Sequence, residues 1–98
     1  MNHCQYIPVQ EITCRQDKGT LLHLKYFLTC MDRGSKADTL YGIRVLKYTE
    51  DYALAEEAST PPISYSETFV RQLLQHLIRN AVTPMCLLEV LDELVSAA

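Results

Sequence analysis

The chain is most informative at first for what it lacks. It has no run approaching the ~18 apolar residues of a membrane-spanning helix. Its start, "MNHCQYIPVQEI", has no basic segment followed by an apolar stretch, so no secretory signal is read there. These absences predict a cytoplasmic protein that does not enter a membrane. Glycine (three) and proline (four) are too scarce for a low-complexity linker, and at 48% hydrophobic residues disorder is excluded. No C-x2-C occurs among Cys4, Cys14, Cys30 and Cys86, so no zinc motif is present. In the cytosol these four are expected as reduced thiols. There is no Walker loop, no G-x-G-x-x-G and no G-x-S-x-G.

Dense positive charge is missing too. Residues 1–50 hold seven Lys/Arg and five Asp/Glu; residues 51–98 hold two Arg and seven Asp/Glu. Nucleic-acid affinity rests on neutralising phosphates, so nucleic acid is not expected as a partner. A helix-turn-helix reading of the C-terminal segment fails for the same reason. Its second helix carries Glu89, Asp92 and Glu93 and no Lys or Arg.

What is present is a single domain, residues 1–98, whose first half repeats with period two. In "TLLHLKYFLTCM", Leu22, Leu24, Tyr26, Leu28 and Cys30 alternate with His23, Lys25 and Thr29. This predicts a half-buried strand with its even face inward. Upstream, Asp17-Lys18-Gly19 suits a type I turn closed by a glycine in the left-handed region. That hairpin predicts the cross-strand pairs Ile12–Leu24, Cys14–Leu22 and Pro8–Leu28 on one face. Val9–Phe27 and Glu11–Lys25 fall on the other. Pro8 places the first strand at a sheet edge. A third strand is read in "DTLYGIRVLKYTE", with Tyr41, Ile43 and Val45 inward, after the polar loop "DRGSKAD". Residues 51–63 read as a crossover ended by Thr60-Pro61-Pro62.

Two amphipathic helices close the chain. Ser64 or Ser66 caps the first. In it Phe69, Val70, Leu73, Leu74, Leu77, Ile78 and Ala81 share an arc of roughly 180°. Thr83-Pro84 ends one helix near Asn80 and opens the next. Pro84, Leu87, Leu88, Val90, Leu91, Leu94 and Val95 form the second apolar seam. The expected fold is α+β: a three-stranded antiparallel meander, β-β-β-α-α, with both helices packed on one face.

No set of residues forms a catalytic or metal-ligating constellation, and no cofactor is expected. His3 and Cys4 stand at a terminus, His23 on the outer sheet face and His76 on a polar helix face. Cys14 and Cys30 read as small core hydrophobes. Cys86, near a helix N-terminus, is the one candidate reactive thiol. The feature left over is the outer sheet face, where Val9, Leu21, Phe27, Leu40, Leu46 and Tyr48 mix with Glu11, Lys25 and Arg44. A solvated face is more polar than this, and apolar surface of this kind marks interfaces.

The stretches "YGIRVLKY" and "ISYSETFVRQLLQHLIRNAVTPMCLLEVLDELV" resemble a family of short uncharacterised bacterial proteins, a domain of unknown function. The shared features are a Tyr-Gly-Ile strand, a Ser-led helix and a Thr-Pro that opens an acidic final helix. The likeness spans residues 40–96 and implies a bacterial cytosolic origin, with no site residues. The expected function is a small non-enzymatic interaction or regulatory module, a homodimer joined through the outer sheet face or a binder of another protein. The competing expectation is a small-molecule binder or small enzyme with a pocket between sheet and helices, using tyrosines and Cys86.

Overall fold

The computed structural model describes residues 3–16, 18–32, 34 and 38–96, with backbone alone for residues 3 and 96. Asp17 of the first turn and Arg33, Ser35, Lys36 and Ala37 of the polar loop lie outside the described residues, as does the side chain of His3. Four strands, β1 (His3–Arg15), β2 (Leu21–Asp32), β3 (Leu40–Tyr48) and β4 (Leu54–Ser59), form one antiparallel meander in the order β1-β2-β3-β4. Two helices follow, α1 (Glu67–Arg79) and α2 (Leu87–Ser96), the second preceded by a 3₁₀ turn, Pro84–Cys86. The α+β meander with two C-terminal helices against the sheet is the one expected, with one strand more. The extra strand, "LAEEAS", arises where a crossover was expected. Alanine and glutamate are poor strand formers, so pairing with β3 rather than propensity makes it a strand.

The β1–β2 register follows the predicted pairs from Arg15–Leu21 back to Gln10–Tyr26. It then slips. A bulge at Val9 puts Pro8 opposite Phe27 and Ile7 opposite Leu28, in place of the expected Val9–Phe27 and Pro8–Leu28 pairs. Beyond the bulge the parity of β1 reverses, so Ile7 turns to the core side. Pro8 lies on an edge strand, as its missing N–H requires.

The core lies on the helix side of the sheet. Leu24, Tyr26, Leu28, Ile43 and Val45 meet Val70, Leu74, Leu77 and Leu87, all essentially without exposure. α1 lies over β2 and β3, and the 3₁₀ turn over β3 and β4. The helix start is settled by Ser66, whose Oγ accepts from Phe69 N–H at 3.2 Å; Ser64 Oγ instead accepts from Ser66 N–H. At the other end Val82 N–H reaches Leu77 C=O and Ala81 N–H reaches Ile78 C=O, a Schellman closure. It puts Ala81 at φ 50°, where glycine is usual. Val82 is thereby buried, and its carbonyl accepts the Tyr26 hydroxyl at 2.9 Å.

The second seam is only partly spent on the core. Leu87 and Leu91 are buried, Val90 and Leu94 are half-buried, and Leu88 and Val95 face outward beside Met85. The expected seven-residue seam is too wide for a ten-residue helix that touches α1 along one line. The result is a slab of 47 × 31 × 17 Å.

Candidate functional site: the open sheet face

Both helices occupy one side of the sheet, which leaves the other side open. Alternation on each strand decides who stands there. β2 contributes Leu21, His23, Lys25, Phe27 and Thr29; β3 contributes Leu40, Gly42, Arg44, Leu46 and Tyr48. Five of the six predicted interface residues, Leu21, Phe27, Leu40, Leu46 and Tyr48, share this face and are half-buried. Val9 is the correction. Its bulged position packs it against the core, and Pro8 stands opposite Phe27 instead. Tyr6, displaced by the same bulge, joins the face with its ring 5.0 Å from the Arg44 guanidinium.

Of residues 51–63, six extend the sheet as β4, and Thr60 and Pro61 cover the face only locally, at Gly42, where a β-carbon would meet them at 2.9 and 3.2 Å. In the loop before β4 one residue turns back over the face. The β3–β4 loop has the same hydrogen bonds as the β1–β2 loop: Thr49 N–H to Ala53 C=O and Tyr52 N–H to Thr49 C=O match Gln16 N–H to Thr20 C=O and Gly19 N–H to Gln16 C=O. Gly19 has φ 82°, and the equivalent Tyr52 has φ 63°. A non-glycine residue there is strained, so its side chain must gain something in exchange. Its ring lies flat on His23, with centroids 3.9 Å apart at 6°. Its hydroxyl donates to Glu11 Oε2 at 2.8 Å, and that carboxylate raises the phenol pKa.

This contact explains a second departure. His23 stands on the outer face as predicted, yet is only 8% exposed because Tyr52 roofs it. Its Nε2 donates to the Glu50 carbonyl at 3.2 Å, so in the neutral ring Nδ1 accepts from Thr13 Oγ1 at 3.0 Å. Lys25 completes the group, 3.9 Å from Glu11 and 5.0 Å from the Tyr48 ring centre. Asp51, in the loop, has its pKa lowered by the Thr49 hydroxyl. His23, Tyr52, Glu11 and Lys25 are each partnered inside the chain, so the cluster braces the loop against the sheet. At the β4 border Arg44 bonds Ser59 and Glu57, at 2.9 and 2.8 Å.

The helix side holds a separate cleft of about 550 Å³, beyond the start of α1. Gln5, Ile7, Cys30, Tyr41 and Glu67 line it. Burial, then the Glu67 carboxylate, raise the pKa of both Cys30 and Tyr41, so Cys30 is a poor nucleophile. Cys86 is not in this cleft. It is exposed, and lines a shallow groove with His76, Asn80 and Val90. Among the described residues no three of His, Cys, Asp and Glu come together as a metal site, and no helix is long and apolar enough to cross a membrane.

Sequence reasoning missed Tyr52 and Glu50. The only signal for them is the shared spacing of "QDKGT" and "TEDYA", masked because tyrosine replaces the glycine that marks such loops.

Residues 5–97 match the model of a family of unknown function, DUF6514, and the chain belongs to that family. No curated protein and no solved structure is significantly similar to it.

Proposed function

We propose that this DUF6514 member is a small non-enzymatic interaction module that holds another protein against its open sheet face. One observation carries the reading: Leu21, Phe27, Leu40, Leu46 and Tyr48 lie together on a face that neither helix covers. A solvated antiparallel face is dominated by polar residues, whereas here five large apolar side chains stand among His23, Lys25, Thr29 and Arg44. The partnered state of the His23–Tyr52 cluster supports binding over catalysis, since it leaves the surface rigid. A photo-reactive amino acid placed at Phe27 should cross-link to protein in living cells, and the same probe at Leu88 should not. Silence at Phe27, or linking from Leu88 alone, refutes the reading.

The cleft beside Cys30 supports a second reading, binding of a small molecule between sheet and helix. Its test is a ligand-library thermal shift of several degrees that Tyr41→Phe or Cys30→Ala abolishes and Cys86→Ala does not. A hit insensitive to the first two variants counts against it.

A further inference from the structure

We infer that the occupant of the open face is a second copy of this chain, laid face to face about a two-fold axis. This deepens the reading of that face as the contact surface and rests on it.

Size is the first argument. Strands of 13, 12, 9 and 6 residues, at ~3.3 Å per residue and ~4.8 Å between strands, present a flat footprint of roughly 600 Å². Corrugated by side chains, that approaches the ~800 Å² per partner of a standard interface.

Charge is the second argument, and it decides between the two apolar surfaces. The open face is mixed: Glu11 lies 3.9 Å from Lys25, and Glu57 lies 2.8 Å from Arg44. A two-fold axis sets such rows against each other without a net clash. The other exposed apolar stripe, Met85 of the 3₁₀ turn with Leu88 and Val95 of α2, is flanked by Glu89, Asp92 and Glu93. Two-fold pairing there would bring six carboxylates together with no base among them. The sheet face is therefore the self-complementary one. Two such faces pack with strands about 30° apart, and the raised Tyr52 loop of each copy limits how far they slide.

The test is sedimentation of the full chain from micromolar to millimolar concentration, with circular dichroism to confirm folding. The expected species is twice the chain mass of 11.2 kDa. Phe27→Arg, and Leu46→Lys as the gentler variant whose stem still covers the sheet, should each weaken association at least about 100-fold, since both copies lose the contact. Leu88→Arg should leave it unchanged. A wild-type chain that stays monomeric overturns the second copy as occupant. In that case cross-linking from Phe27 to a different protein still upholds the interaction module, so the two ideas fail separately. A dimer broken by Leu88→Arg but not by the face variants overturns the face-to-face copy and leaves the interaction module to the cross-linking at Phe27.

Discussion

The hydrogen bond from Tyr26 to Val82 joins the centre of the sheet to the link between the helices, and Tyr26→Phe tests it quantitatively. Tyr26 is 1% exposed, and its hydroxyl donates at 2.9 Å to a carbonyl held in place by the Schellman closure. Removing the oxygen leaves that carbonyl without its donor in the core, which costs about 1–2 kcal/mol. For a chain of this length the melting temperature should fall by roughly 5–15 °C. The pH dependence is more discriminating. Burial, and secondarily Cys14, raise the phenol pKa well above its usual value in the folded chain. A raised pKa gives stability that is complete below the unfolded value, about 10, and is lost as pH rises toward the folded one. At pH 11 ionisation of the unfolded phenol lowers wild-type stability by about 1.4 kcal/mol, and the phenylalanine variant is spared this. Every other titrating group is common to both proteins and cancels. Urea unfolding should therefore find a gap of about 1–2 kcal/mol at pH 8 that shrinks to near zero by pH 11. A gap that stays constant across that range would refute the buried, bonded phenol.

Three further outcomes follow from backbone geometry. A methyl group at Gly42 would meet Thr29 Oγ1 at 2.8 Å, Thr60 Oγ1 at 2.9 Å and the Pro61 carbonyl at 3.2 Å, so Gly42→Ala should destabilise by about 1–3 kcal/mol, with partial rescue by Thr29→Ala in chemical denaturation. Ala81→Gly should do the opposite and stabilise by about 0.5 kcal/mol, because relief at φ 50° outweighs the methyl contact it gives up; a lower urea midpoint contradicts this. At Tyr52 the usual order of small residues should invert, with Tyr52→Gly melting above Tyr52→Ala, since both lose the ring but only alanine keeps the backbone strain. Equal melting temperatures for the two would remove the case for a strained loop.

The fold was legible where a physical rule leaves one choice. Period-two alternation placed Leu24, Tyr26 and Leu28 inward and Lys25 and Phe27 outward, and Gly19 fixed the first hairpin and most of its register. Thr83-Pro84 marked the break between helices, and the structure begins its last helical segment at Pro84. What was hidden depends on tertiary context. The bulge at Val9 has no residue signature, since nothing local says that a strand must skip one residue. β4 is a strand because β3 offers it a partner, and Arg44 and Lys47 offer its glutamates ion pairs. The burial of His23 was unreadable because its cover, Tyr52, lies 29 positions away in a loop whose glycine signal is absent. Of the candidate face, five of six residues were placed from alternation alone; the sixth, Val9, was lost to the bulge.

That bulge has one more result. A long, straight outermost ribbon invites addition of strands from other molecules and seeds fibrils. The exposed ribbon of this slab runs 13 residues, long enough to be dangerous. Pro8 deletes a donor near its middle, and the skipped residue beside it bends the line and reverses the side chains beyond. No incoming strand can follow the whole length in register. Replacing Pro8 and excising Val9 would straighten it, and the chain should then begin to polymerise by its rim.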